Sequence, residues 1–140
     1  MIKRVKFADH VDTITAMMTD MLHLEPVKVN IPVPRYIELC EADILHSYLW
    51  YEGSTVKGVA LIMVSPSLRN GAIINAGTDV IWVKPEHRGN SKFFIKAIAY
   101  RLKHAGVNYW YVSSRHNAPI DSFWRANDFT PLEQLFYKEL

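Results

Sequence analysis

Only one cysteine, Cys40, occurs in the chain, so no internal disulfide can form, and no His or Cys stands beside it at metal-ligand spacing. It reads as a small apolar side chain. Long hydrophobic runs are also missing. No stretch is long enough to span a bilayer, and the basic N-terminus is not followed by the apolar segment of a secretory signal. The expectation is a cytoplasmic protein with no membrane partner. Charge of one sign is absent as well: 16 Lys and Arg face 14 Asp and Glu, a formal net charge of +2, with the bases scattered among the acids. No basic face points to a nucleic-acid partner. The six histidines, His10, His23, His46, His87, His104 and His116, show no paired spacing, so no metal is expected. Internal repeats and low-complexity segments do not occur.

What remains is ordinary globular composition, with 49% hydrophobic and 21% charged residues. A length of 140 residues fits one domain, residues 1–140, acting as a monomer or homodimer.

The chain opens with a short strand, Ile2 to Phe7, and a helix over about residues 10–22 follows, with Asp9 at its N-cap and Val11, Ile14, Met18 and Met21 at helical spacing. Pro26, Pro32 and Pro34 break the next stretch. Pro34 suits the first turn of a second helix bearing Ile37, Cys40 and Ile44. The period then changes to two. Tyr48 to Tyr51, a Gly53-Ser54 turn and Val56 to Val64 read as a hairpin, and an Asn70-Gly71 turn leads to a strand from Ala72 to Val83.

The stretch from Gly77 to Lys103 organises the rest. A β-branched and aromatic strand ends at Pro85, and after a polar turn Phe94, Ile98 and Leu102 mark one face of a helix. The turn holds Arg88, Gly89, Asn90, Ser91 and Lys92. Helix-start amides have no intrahelical partner, and with the positive end of the helix dipole and two basic side chains they suit a phosphate; the plain alternative is a solvated helix-start loop. Gly106 fits a helix C′ position, Val107 to Val112 is a further strand, Asn117 and Pro119 open a short helix with Ile120, Phe123 and Trp124, and Leu135, Phe136 and Tyr137 form a last strand. A strand, helix, strand succession implies a parallel pair with a right-handed crossover. The fold class is therefore α+β (mixed α/β). It has one twisted mixed sheet of about six strands, an antiparallel first half, a parallel pair that splays at the crossover, and helices on both faces.

Three short blocks carry a resemblance: Val83-Lys84-Pro85-Glu86-His87-Arg88-Gly89, Asn117 followed by Trp124 and Phe129, and the close Phe136-Tyr137-Lys138-Glu139-Leu140. Together with the element order, they make the chain similar to the GNAT superfamily of acetyl-coenzyme A dependent N-acetyltransferases, in particular to its small phage and bacterial members. The resemblance implies transfer of an acetyl group from acetyl-CoA to a primary amine of a small molecule or peptide, by direct attack on the thioester. It assigns Arg88, Gly89, Asn90, Ser91 and Lys92 to the pyrophosphate, Val83 to polarising the thioester carbonyl through its N–H, and Asn117 to the pantetheine arm. Asp79, expected to share a strand face with Ile81 and Val83, is the candidate base.

The chain departs from the family pattern at Ser91 and Phe93, where glycines usually stand, at Trp124, where a thiolate-protonating tyrosine commonly lies next to the cofactor, and at Asp128, in place of a glycine. The alternative these departures suggest is a catalytically degenerate binding or structural module. A nucleotide-binding domain of another kind lacks a second glycine-rich phosphate motif. The acceptor pocket is expected to be walled by the residue 23 to 47 connection and the second helix, with Tyr36, His46, Trp50 and Trp82 nearby.

Overall fold

A computed structural model describes residues 1–23, 25–26 and 28–140. Five strands form one sheet in the order β1 (Ile2–Val5), β2 (Leu45–Glu52), β3 (Thr55–Pro66), β4 (Ile74–Val83) and β5 (Tyr109–Tyr111). The first four run antiparallel to their neighbours; β4 and β5 are parallel. Helix α3 (Ser91–His104) makes the crossover. Its apolar stripe of Phe94, Ile98 and Leu102 is buried against Ile2, Tyr48, Trp50, Ala60, Ile62, Ala76 and Val83 on one sheet face. Helices α1 (Val11–Leu22) and α2 (Val33–Glu41) cover the other face, where Ile14, Met17 and Met18 pack on Leu45, Leu49, Val59, Leu61 and Val80. Each buried side chain of this size contributes about 1.5–3 kcal/mol, so the two layers hold the sheet from both sides. A short helix, α4 (Asp121–Ala126), closes the described architecture, and no helix is long and apolar enough to cross a membrane among the described residues.

Helix ends explain several boundaries. Gly106 lies at φ 86°, with its N–H donating to Lys103 O and that of Val107 to Leu102 O, a Schellman cap at the position expected for it. Helix α2 stops at Glu41 rather than running to Ile44, because Asp43 turns into the left-handed region at φ 60° and Ile44 N–H returns to Leu39 O. Asp128, at φ 67°, caps α4 in the same way.

Other expectations need correction. Asp9 lies inside a 3₁₀ turn, Phe7–Asp9, and His10 takes the N-cap position of α1 without a side-chain cap. Asn117 sits in a tight turn inside the Arg115–Ala118 bridge, four residues before α4 begins. The sixth strand does not form: residues 130–140 have no regular secondary structure, and Leu135, Phe136 and Tyr137 are 92, 84 and 76% exposed. A three-residue β5 offers only a short ladder to any further strand, and Pro131 has no N–H to give it.

Candidate active site

Strands β4 and β5 pair only from Asn75 to Gly77 against Tyr109 to Tyr111, whereas β4 runs on to Val83. Beyond Gly77 no residue of β5 pairs with β4, which leaves the edge of β4 from Thr78 to Val83 open on the side where a slot is expected. Which backbone groups face it follows from the antiparallel ladder. Lys84 N–H donates to Lys57 O on the β3 side, so Trp82 and Val80 bond to β3, and the alternate residues Ile81 and Val83 turn their N–H and C=O away from it. Val83 C=O accordingly accepts a bond from Arg88 Nε at 3.1 Å, outside the sheet.

A bulge decides where Asp79 points. Leu61 pairs with Val80 and Ile62 with Thr78, which leaves Asp79 as the extra residue of β4. Val80 and Trp82 pack on the α1/α2 side, Ile81 and Val83 on the α3 side. Asp79 reaches the α1/α2 side, where its Oδ2 accepts a 2.6 Å bond from Tyr36 of α2. It therefore does not share a face with Ile81 and Val83, as strict alternation requires; the inserted residue reverses the parity. Burial, then the hydrogen bond to Asp79 and the carboxylate charge, push the Tyr36 phenol well above the usual tyrosine range.

A second tie joins the α1–α2 connection to the segment after β5. Arg115, in the segment after β5, forms an ion pair with Glu25 of the α1–α2 connection at 2.6 Å. Glu25 is thus tied to the segment after β5 and Tyr36 to the β4 bulge.

At the C-terminal end of β4 the polar turn is a 3₁₀ helix, Pro85–Asn90, instead of an open loop. His87 N–H donates to Lys84 O and Ser91 N–H to Arg88 O. Its own amides are partly committed, and the positive end facing outward is the first turn of α3, which Asn90 does not cap with its side chain. Arg88, Gly89, Asn90 and Lys92 are exposed there, and Ser91 is buried. Phe93, 58% exposed, leans toward the Trp50 ring at 6.4 Å, and Phe94 takes the core position. The bulky side chain stands beside the turn on the β2 side.

The four residues expected around an acceptor do not converge. Tyr36 and Trp82 lie on the α1/α2 face, while Trp50 is buried in the α3-side cluster and His46 contacts Tyr48 of that same cluster. In β2 the residues His46, Tyr48 and Trp50 alternate with Leu45 and Leu49 on the opposite face, a period-2 separation that proximity in sequence hides. Trp124 is buried, and its indole N–H donates to Ser113 O at 3.1 Å, which pins α4 to the segment after β5. That donor is already engaged. Asn117 is exposed on the same segment. Two recesses, of about 460 Å³ beside Leu102, Val107 and Trp110 and about 660 Å³ beside Trp50 and Lys57, lie on other parts of the surface and include neither Asp79 nor Val83.

No protein-family model matches the chain, and no curated protein does. Solved structures match along its whole length. A predicted acetyltransferase of Clostridium acetobutylicum, solved with acetyl-CoA, superposes with a TM-score of 0.76 over 99% of this chain and 95% of its own at 11% identity. An aminoglycoside acetyltransferase from an uncultured soil metagenomic sample, in complex with sisomicin, gives 0.76 over 100% and 95% at 16% identity. A ribosomal-protein-alanine N-acetyltransferase of Brucella melitensis gives 0.72 over 100% and 99% at 10% identity. What is shared at these identities is the fold.

Proposed function

Since the chain has the fold of the GNAT acetyltransferases, we propose that it transfers an acetyl group from acetyl-CoA to a primary amine of a small-molecule or peptide acceptor, by direct attack on the thioester. One observation supports this above the others: an accessible carboxylate, Asp79, stands at a bulge of β4 just before two backbone amides, those of Ile81 and Val83, that the sheet leaves unpaired. An activated acetyl group is what the thioester supplies. Asp79 takes the proton that the acceptor ammonium must lose, and the Val83 N–H donates to the carbonyl oxygen as negative charge grows there. A carbon–nitrogen bond forms, the carbon–sulfur bond breaks, and the departing thiolate takes its proton from solvent.

The pyrophosphate falls to the N-terminal turn of α3, with Arg88 and Lys92 supplying charge, Gly89 and Asn90 lining the approach, and the Ser91 hydroxyl available although its N–H is used. Asn117 is assigned to the pantetheine arm. Trp124 supports the far wall of the slot. Tyr36 and Trp82 wall the acceptor side; His46 and Trp50 belong to the packing of the other face.

A degenerate binding module is the second reading, favoured by the engaged Trp124 N–H and by the lack of a tyrosine at its position. Thermal midpoints with and without excess acetyl-CoA, followed by a thiol-release assay over primary alkylamines, aminoglycosides and peptide N-termini, separate the two. Ligand at 100 times its Kd raises stability by about 2.7 kcal/mol. A raised midpoint with thiol release supports the enzyme, a raised midpoint with no release for any amine supports the module, and no shift removes the cosubstrate site.

A further inference from the structure

We infer that Tyr36 is a positioning residue for Asp79: its phenol holds Oδ2, fixes the side-chain rotamer, and leaves Oδ1 as the oxygen that receives the acceptor's proton. This rests on the reading of Asp79 as the base and extends it, because it gives α2 a part in the chemistry.

The direction of the bond is fixed by chemistry. A carboxylate only accepts, so the phenol donates, and 2.6 Å is the length of a charge-assisted O–H···O⁻ bond. The donor keeps its proton, since burial and the neighbouring carboxylate both oppose its ionisation.

The phenol is also rigidly backed. Its ring stacks on Phe7 at 5.2 Å with an interplanar angle of 17°, and Phe7 is fully buried between the sheet and α1. Asp79 has the opposite character. It is exposed, sits on the unpaired residue of a bulge, and has no other side-chain hydrogen bond among the described residues. Left alone, such a side chain samples several staggered rotamers, and only some direct an oxygen toward the slot. A base that has to meet an amine within hydrogen-bond reach loses rate in proportion to the time spent elsewhere.

One oxygen is thus committed and one is free. The proton passes from the ammonium nitrogen to Oδ1 and then to solvent, and the Tyr36 bond to Oδ2 persists through both protonation states of the carboxyl group. Neither oxygen has to exchange roles.

Tyr36→Phe keeps the ring and its stack on Phe7 and removes only the hydroxyl. With the fastest amine of the panel, kcat should fall about threefold to tenfold, more than any change in the amine KM, while acetyl-CoA affinity by calorimetry and the thermal midpoint stay close to wild type. In an Asp79→Asn background the same change should have no further effect on kcat, because the oxygen it positions is no longer a base. An unchanged kcat for Tyr36→Phe beside an inactive Asp79→Asn overturns the positioning role alone. Additive losses in the double variant do the same. Full activity of Asp79→Asn overturns the base assignment and this inference with it, and a wild-type protein that releases no thiol with any amine overturns both.

Discussion

Arg88 lies over the face of Trp82, its guanidinium carbon 4.5 Å from the ring centroid, and donates from Nε to Val83 O at 3.1 Å. One side chain therefore satisfies the outward carbonyl of β4 and places a charge just before the start of α3. A guanidinium can stack on a ring while its remaining N–H groups point at an anion, which an ammonium cannot reproduce.

Arg88→Ala should weaken acetyl-CoA binding about tenfold, or about 1.4 kcal/mol, and lower the stability of the free protein by about 1 kcal/mol, because Val83 O loses its donor. Arg88→Lys should recover only part of the loss. Calorimetric titration measures both, and equal affinity in the alanine variant removes Arg88 from the pyrophosphate site.

Asp79→Asn retains the size of the side chain and its acceptor oxygen for Tyr36 but loses the base. Turnover should drop by a factor of about 10² or more, with acetyl-CoA affinity preserved. A wild-type pH–rate profile in this variant would falsify the base assignment.

Trp124→Phe tests whether the tryptophan at the tyrosine position packs or reacts. The indole is wedged between Phe123 and Phe129 at ring separations of 5.1 and 5.2 Å, and its N–H satisfies Ser113 O. Phenylalanine should cost about 1–2 kcal/mol in urea denaturation by leaving that carbonyl unpaired, while kcat of the folded protein stays within about twofold. A large loss of kcat at unchanged stability would return Trp124 to the reacting thiol.

His46, 3% exposed, is hard to protonate in the folded chain: burial lowers its pKa most and Arg4 adds to this, against the opposing pull of Asp43, whose Oδ1 is 3.4 Å from Nε2. Tyr48 Oη faces the other ring nitrogen at 3.5 Å. Below the unfolded value near 6.5 the unfolded chain binds a proton that the folded one refuses, so stability should fall as pH drops from about 7 toward 5. Asp43 acts in a separate window. Arg4 holds its carboxyl below the usual range, and that contribution is lost only near pH 4 and below. Urea midpoints across pH 7 to 5 should decline less in His46→Asn than in wild type; parallel curves would assign the decline to other groups.

The long periodic elements were legible in the sequence because many residues report the same period: Phe94, Ile98 and Leu102 fix the buried face of α3, and Gly106 marks its end. The bulge was not. Its signal is one residue out of step between Thr78 and Val80, and no residue type there demands it, so counting by twos put Asp79 on the wrong face and hid its bond to Tyr36. Nor did the side chains reveal how far β5 extends, on which any sixth strand depends. Leu135, Phe136 and Tyr137 have strand-forming character, but β5 ends at Tyr111. Splitting of the acceptor set followed from the same limit, because alternation assigns His46 and Trp50 to one side of β2 without saying which helix covers that side.

Asp128 is where a glycine would serve α4 better. Its φ of 67° completes a Schellman cap in which Asp128 N–H reaches Arg125 O and Phe129 N–H reaches Trp124 O, and the cap aims Phe129 at Trp110. A β-carbon in the left-handed region costs roughly 1–2 kcal/mol, less for Asp than for bulkier residues. Asp128 is exposed and makes no side-chain hydrogen bond among the described residues, so removing its side chain sacrifices little. Asp128→Gly should therefore stabilise the protein by about 0.5–1 kcal/mol, and Asp128→Val should destabilise it, because branching at Cβ makes the left-handed conformation harder to reach. Urea denaturation of the two variants reads the sign directly. If glycine fails to stabilise while valine is tolerated, the cap is not the element that holds Phe129 against Trp110.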